Sequence, residues 1–216
     1  MKVHLTICTP SSGYSKTQFA FSLARLVLEY TQKPILPEVT EQSLELYSIE
    51  GTGVSANREK MVRQFIKSDA THLLFIDDDM GFNPDILHLL FSRKLPIVGC
   101  NYRMRVPPAK FMAHKDGKEI LTTAESRGLE AVDYMGFGMC LMEKKVLESV
   151  PEPRFMLRWD GHDYTTEDVA FFHKCPYKAY VDHEASRLLW HSGHIQYTWA
   201  DDYTEMNKIL RTNIEE

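Results

Sequence analysis

The sequence lacks the patterns of several well-defined protein classes. Its four cysteines are widely spaced, form no C-x-x-C pair and lie mostly in apolar segments, which argues against a structural zinc site and indicates reduced, buried thiols. There is no run of about 18 apolar residues, and the apolar run at the N-terminus is too short for the core of a signal peptide. We therefore expect a cytoplasmic protein without a membrane span.

An excess of basic residues is also missing. The chain has 25 lysines and arginines against 30 aspartates and glutamates, which gives a formal net charge of -5. This balance does not indicate a nucleic-acid-binding protein, although a local basic patch at Lys110, Lys115 and Lys118 stays open. The 216 residues are 44% hydrophobic and contain no repeat or glycine-, serine- or proline-rich linker, so we expect one domain with a sizeable core.

What the sequence does contain is an apolar run that ends in three carboxylates. Residues 73–76 have the pattern of a strand buried on both faces, and Asp77, Asp78 and Asp79 follow directly. In open α/β sheets, ligands bind beyond the carboxyl ends of strands. In extended backbone Asp77 and Asp79 would point to one side and Asp78 to the other. A divalent cation would relieve the repulsion between Asp77 and Asp79. An acidic turn in solvent is the alternative interpretation.

The rest of the pattern predicts a mixed α/β protein. Strands predicted over 3–8, 44–49 and 97–102 alternate with helices in the first half, whereas the second half is richer in hairpins and irregular loops. Asp116-Gly117 is typical of a hairpin turn. Thr165 is predicted to cap a helix that carries Glu167 and Asp168 in its first turn.

In their order along the chain, these motifs resemble those of GT-A nucleotide-sugar glycosyltransferases of the small, family-2-like type found in bacteria and phages. The matching segments are ICTPSSG, the helix start Ala56-Asn57-Arg58, FIDDDM with its D-x-D motif, GFGMCLM, TTEDVAFF and the His-Ser-Gly-His at 191–194. The resemblance implies a GT-A-like single domain with a mixed, mostly parallel central sheet flanked by helices. It places a nucleotide-binding half at about residues 1–100 and an acceptor-binding half at about 101–216.

The resemblance also implies roles for particular residues. The metal ligands would be Asp77, Asp79 and His194, with His191 as the competitor of His194. Asp168 would be the general base, with Glu167 as its acidic partner. The nucleotide contacts would be Thr9, Ser11, Arg58, Asp77 and Asp78, and the acceptor loop would be Gly136, Phe137 and Gly138.

Several of these roles have a structural alternative. Helix capping explains an aspartate at the position of Asp168 without catalysis. A partly buried structural histidine explains either histidine, and a surface salt bridge explains Arg58. A plain turn explains the two glycines.

The implied activity is the metal-dependent transfer of a sugar from a nucleotide-sugar, most simply a UDP- or GDP-sugar, to a hydroxyl acceptor, with inversion favoured. The cation would be Mn2+ or Mg2+, and a histidine beside carboxylates favours manganese. The acceptor would be a glycan or a hydroxymethylated DNA base. Two alternatives stay open: a sugar-phosphate nucleotidyltransferase, whose glycine-rich, basic phosphate loop is missing, and a catalytically silent nucleotide- or glycan-binding module.

Overall fold

A sheet of seven strands forms the centre of the computed structural model, which describes residues 1–51, 53–105, 109–159, 161–193 and 196–200. The helices are α1 (Thr17–Gln32), α2 (Val54–Lys67), α3 (Asp85–Ser92), α4 (Lys144–Ser149), α5 (Glu167–Lys174) and α6 (His183–Ser186). Within the described ranges, no helix has both the length and the apolar character needed to cross a membrane. The strands are β1 (Lys2–Ser11), β2 (Glu41–Glu50), β3 (His72–Ile76), β4 (Met80–Phe82), β5 (Ile97–Gly99), β6 (His114–Lys115), β7 (Lys118–Glu119), β8 (Leu129–Val132), β9 (Met139–Glu143), β10 (Arg158–Trp159), β11 (Tyr164–Thr165), β12 (Ala179–Asp182), β13 (Leu189–Ser192) and β14 (Gln196–Tyr197).

The central sheet is mixed, and its strand order is β2-β1-β3-β9-β5-β12-β8. β1 pairs in parallel with β2 and β3, and β5 pairs in parallel with β12. β9 is antiparallel to both of its neighbours, and β8 is antiparallel to β12. Most strands therefore share one direction, and only β9 and β8 run against it. The predicted fold class, a single α/β domain with a mixed, mostly parallel central sheet, is confirmed.

The hydrophobic core lies in two layers, one on each face of the central sheet. Strand β3 contributes to both, since Leu74 and Ile76 pack in the layer with α1 and α3, whereas Leu73 and Phe75 pack in the layer with α2, α4 and α5. All four side chains are fully buried, as the apolar run predicts. Burying each one contributes roughly 1.5–3 kcal/mol of hydrophobic stabilisation, so the strand that precedes the three aspartates is firmly anchored.

A smaller sheet of three strands begins with β4, directly after those aspartates. β4 pairs antiparallel with β13, and β13 pairs with β14. The register sets His191 opposite Met80 and Trp190 opposite Gly81. The Trp190 indole lies so close to Gly81 that a Cβ there would collide with it, and its Nε1 donates to Gln18 at 2.9 Å. This pairing brings a histidine from near the end of the described chain to the residue that follows Asp79.

Candidate active site

A cleft of about 610 Å³ opens where β1 and β3 end. Its walls are the end of β1, the residues that follow β3 and β5, and the first turns of α2 and α5. The position beyond the carboxyl ends of strands is the one that the topology of open α/β sheets favours for a ligand. Five carboxylates and two arginines line the cleft, namely Asp77, Asp78, Asp79, Glu167, Asp168, Arg58 and Arg105.

The three consecutive aspartates form a turn instead of an extended segment. The Met80 N–H donates to the Asp77 carbonyl at 3.1 Å, which closes the turn between β3 and β4. The prediction that Asp78 points away from Asp77 and Asp79 is therefore wrong, because side chains do not alternate in a turn and all three line the cleft. Asp78 accepts a hydrogen bond from the Ser11 hydroxyl at 2.7 Å.

The first of two ionic clusters in the cleft, the inner cluster, consists of Arg58, Asp77 and Glu167. Nη2 of Arg58 donates to Oδ1 of Asp77 at 2.6 Å, and Nη1 donates to Oε1 of Glu167. The Arg58 side chain is 3% exposed, and its guanidinium lies 5.5 Å from the ring centre of Phe75 and 5.3 Å from that of Phe137. The inner cluster thus ties together α2, the turn after β3 and the start of α5.

The pKa values of the inner cluster reflect burial and mutual attraction. Burial disfavours the charged guanidinium, but Asp77 and Glu167 outweigh that effect, so the pKa of Arg58 lies above its ordinary value. Burial also raises the pKa of Asp77 and of Glu167, and Arg58 opposes this rise. Among the described residues, the buried Nε of Arg58 has no hydrogen-bond partner. The surface salt bridge considered for Arg58 is wrong, because the side chain is buried and holds two carboxylates.

The second cluster, the outer cluster, consists of Asp79, His191 and Arg105. Oδ2 of Asp79 lies 3.1 Å from Nε2 of His191, and Nη1 of Arg105 donates to the same oxygen. The β4–β13 pairing explains why the first two meet, because the Ser192 N–H also donates to the Asp79 carbonyl at 2.8 Å. Arg105 follows β5 in the chain, and its side chain is 55% exposed.

The imidazole of His191 is oriented as a ligand would be. Its Nδ1 lies 2.9 Å from the carbonyl oxygen of Arg103, which can only accept, so Nδ1 carries the proton. In the neutral ring, Nε2 then presents a lone pair to the Asp79 carboxylate, and a cation or a second proton must lie between them. Metal-binding histidines commonly donate their other N–H to a backbone carbonyl in this way.

Asp79 is the carboxylate best suited to hold a cation. Burial alone would raise its pKa, but the protonated form of His191, which donates to Asp79 and carries a positive charge, outweighs burial together with Arg105 and lowers the pKa of Asp79 below its ordinary value. The predicted metal ligand His194 lies outside the described residues. Among those that are described, no group of three or more histidine, cysteine or acidic side chains is arranged to hold a metal ion. The described donor set is therefore Asp79 with His191, beside Asp77 of the inner cluster.

Asp168 lies in the first turn of α5, beside Glu167 of the inner cluster. The helix begins at Glu167, so the prediction that Thr165 caps it is wrong; Thr165 belongs to β11 and Thr166 precedes the helix. Oδ1 of Asp168 accepts hydrogen bonds from the Thr166 hydroxyl and, at 2.8 Å, from the Val169 N–H. Oδ2 accepts no hydrogen bond from the described residues, although Asp168 lines the cleft and is only 6% exposed.

Of the two residues predicted to contact the nucleotide from the first loop, only Ser11 lines the cleft. Thr9 is buried in β1, where its carbonyl accepts a hydrogen bond from the Ser48 hydroxyl at 2.9 Å. The structure therefore brings Ser11 to the three aspartates but keeps Thr9 in the sheet.

The predicted acceptor loop makes room for a tyrosine that the sequence did not single out. A Cβ on Gly138 would lie 2.7 Å from Cζ of Tyr102, and one on Gly136 would collide with its hydroxyl. The Gly138 N–H donates to the Tyr102 hydroxyl at 2.9 Å. The two glycines therefore admit the Tyr102 ring, whereas Phe137 and Tyr102 themselves line the cleft. The Tyr102 ring meets that of His191 edge-on, with centres 5.5 Å apart.

Comparisons with known proteins bear on the fold. No protein-family model matches the chain, and no curated protein matches it. The crystal structure of A197 from STIV is similar over 93% of this chain and 95% of that chain, with a TM-score of 0.61 and 16% sequence identity. At this identity the similarity shows the fold alone, which is a mixed α/β domain consistent with a GT-A-like fold.

Proposed function

We propose that the protein is a metal-dependent glycosyltransferase that moves a sugar from a nucleotide-sugar to a hydroxyl acceptor. The observation that carries the proposal is the outer cluster, in which Oδ2 of Asp79 and Nε2 of His191 lie 3.1 Å apart in the cleft. The same cleft contains Asp168, a second carboxylate with an oxygen that accepts no hydrogen bond from the described residues. A cation site and a base in one cleft are the two parts that this reaction requires.

The described residues fit a divalent cation that is shared with a phosphate substrate. Mg2+ and similar cations are commonly held by one or two protein carboxylates, with substrate phosphates completing the coordination. Asp79 and His191 would hold the cation, and the imidazole favours Mn2+ over Mg2+. When bound, the cation would stabilise the negative charge that develops on the leaving diphosphate.

The side chains of the cleft supply the other groups that the reaction needs. Oδ2 of Asp168 takes the proton from the acceptor hydroxyl, whose oxygen forms a bond to the anomeric carbon of the sugar. The bond from that carbon to the diphosphate oxygen breaks, and its electron pair leaves with the nucleoside diphosphate. Glu167 is held by Arg58 and does not compete as a base. Because Asp168 acts as a base and not as a nucleophile, the reaction is one direct displacement, with inversion at the anomeric carbon.

The first experiment tests the donor half of the site. Thermal unfolding is followed with UDP, GDP, CDP, ADP and dTDP, each with and without Mn2+. A ligand present at about 100 times its dissociation constant stabilises the folded state by roughly 2.7 kcal/mol, which is readily seen as a rise in Tm. We expect UDP or GDP to raise Tm only when Mn2+ is present. If none of the nucleotides changes Tm in either condition, the proposal is wrong.

The second experiment tests transfer itself. UDP- and GDP-sugars are incubated with Mn2+ and a panel of hydroxyl acceptors that includes glycans and DNA containing hydroxymethylated bases, and release of nucleoside diphosphate is followed. Release of pyrophosphate from a nucleoside triphosphate and a sugar phosphate would instead identify a nucleotidyltransferase. Binding of the donor without any turnover across the panel would favour a binding module.

A further inference from the structure

Arg105 donates to the Asp79 oxygen that lies nearest His191, and a cation held by both Asp79 and His191 would use that oxygen. Its Nη1 donates to Oδ2 of Asp79, the same atom that lies 3.1 Å from Nε2 of His191. A guanidinium and a divalent cation bearing on one carboxylate oxygen repel each other, so the two cannot hold that oxygen equally well at the same time. Cation binding at the outer cluster must therefore weaken the contact of Arg105 with Asp79.

The side chain of Arg105 makes one exposed ion pair, whereas its main chain lies close to Gly193. The Arg105 side chain is 55% exposed and pairs with no second carboxylate among the described residues. Such a single, partly exposed ion pair is worth at most about 1 kcal/mol. By contrast, a Cβ on Gly193 would lie 3.2 Å from both the Cβ and the carbonyl oxygen of Arg105, and the neighbouring Arg103 carbonyl is bonded to His191. The guanidinium can therefore change partner while its backbone stays beside the outer cluster.

The charge of the cleft indicates which new partner the Arg105 guanidinium would bind. Five carboxylates line the cleft, so an entering diphosphate needs a cationic group besides the metal ion. Arg58 is the other arginine of the lining, but it is buried and holds Asp77 and Glu167. An exposed guanidinium offers paired N–H donors that match phosphate oxygens.

We propose that Arg105 is a diphosphate-binding residue that holds Asp79 in the nucleotide-free protein and transfers to the diphosphate when a divalent cation replaces it on Asp79. This inference rests on the proposed function. It predicts that Arg105 has opposite effects on two binding affinities. Arg105 opposes cation binding in the absence of nucleotide, and it promotes binding of a nucleoside diphosphate once the cation is present.

The test compares wild type, Arg105→Ala and Arg105→Lys. Binding of Mn2+ alone is measured from the electron paramagnetic resonance signal of the free ion, and binding of UDP and GDP at saturating Mn2+ is measured by calorimetry. For Arg105→Ala we expect Mn2+ alone to bind about 2- to 5-fold more tightly. We expect the nucleoside diphosphate to bind about 10- to 100-fold more weakly. Arg105→Lys should retain part of the nucleotide affinity, because it keeps the charge but not the paired donors.

Two controls separate this idea from a general effect. Arg127→Ala removes an exposed arginine that does not line the cleft, and it should change neither affinity. Uridine or guanosine, which carry no phosphate, should show no loss of affinity in Arg105→Ala. If wild type binds both Mn2+ and a nucleotide but Arg105→Ala moves the two affinities in the same direction, or leaves them unchanged, the role of Arg105 is overturned and the proposed function stands. If wild type binds neither, both proposals fall.

Discussion

The inner and outer clusters are two solutions to one problem, the concentration of negative charge where β3 ends. Both contain an arginine, but the Arg58 side chain of the inner cluster is 3% exposed, whereas the Arg105 side chain of the outer cluster is 55% exposed. The inner cluster carries its own permanent cation, which contacts two carboxylates from different elements. The outer cluster holds its arginine by one carboxylate oxygen and adds an imidazole. Neighbouring aspartates of one short motif thus have different partners: Asp77 contacts a buried arginine, and Asp79 contacts an exposed arginine and a histidine.

The energetics of ion pairs support this division. Removing one partner of a buried pair leaves an uncompensated buried charge and costs roughly 3–5 kcal/mol, whereas an exposed pair contributes about 0–1 kcal/mol. The inner cluster is therefore expected to affect folding, and the outer cluster is expected to affect ligand binding. Substitutions in each cluster can test that contrast directly.

The largest effect is expected at Asp79. Asp79→Ala removes the carboxylate of the proposed cation site, so transfer should fall to background, a loss of about a thousandfold or more. The free energy of unfolding should fall less than for Arg58→Met, because Arg105 is largely exposed and His191 keeps its hydrogen bond to the Arg103 carbonyl. Transfer is measured with excess Mn2+, and stability is measured by chemical denaturation. Asp69→Ala is the control, since Asp69 is exposed and does not line the cleft, and it should keep the activity. Near-normal turnover of Asp79→Ala would show that the cation site lies elsewhere.

The second contrast concerns the adjacent acids of α5. Asp168→Asn keeps the shape of the side chain but cannot take a proton, so transfer should fall by roughly 10²- to 10⁴-fold while Mn2+-dependent nucleotide binding is retained. Glu167→Gln, by comparison, removes a charge partner of Arg58 and should reduce stability more than it reduces the chemical step. Single-turnover kinetics and nucleotide affinity are measured for both. Loss of nucleotide binding in Asp168→Asn would give this residue a structural role.

The third contrast exchanges the two arginines for methionine. Arg58→Met should lower the free energy of unfolding by roughly 3–5 kcal/mol, because Asp77 and Glu167 are left next to each other without their cation. Arg105→Met should change it by no more than about 1 kcal/mol. Adding Asp77→Asn and Glu167→Gln to Arg58→Met should restore part of the loss. Equal effects of the two arginine substitutions would remove the distinction between the clusters.

Local patterns predicted the scaffold of this site well. The apolar run before the aspartates became β3, and the Asp116-Gly117 turn has the two positive φ angles, 50° and 72°, that a tight hairpin favours. Both signals depend on neighbouring residues alone. The partners in the clusters depend on long-range packing, since Arg58 and Glu167 are 109 positions apart in the chain.

Two signals in the sequence pointed to residues that the prediction misassigned or missed. Arg58 falls on the same helical face as Met61, Val62 and Phe65, at spacings of three, four and seven residues, and that face is buried. Arg105 follows a predicted strand, at the end of the sheet where ligands bind. By contrast, β4 has three residues and β13 has four, which is too short for a clear alternation, so their pairing and the approach of His191 to Asp79 required the structure.

The smallest effect is expected at Gly138, which packs against Tyr102. The Tyr102 ring meets His191 edge-on. Burial raises the pKa of its phenol, and the nearby charge of Asp77 raises it further. A glycine in this loop has two explanations, close approach of a ligand or close approach of the Tyr102 ring. Gly138→Ala places a Cβ 2.7 Å from Cζ of Tyr102 and should cost roughly 1–3 kcal/mol of stability. In a Tyr102→Leu background the same substitution should cost less, because the ring it collides with is gone, and a double-mutant cycle measures that coupling. If Gly138→Ala instead leaves stability unchanged, shows no coupling to Tyr102 and raises only the KM for the acceptor, the glycine serves the ligand and the predicted acceptor loop is correct.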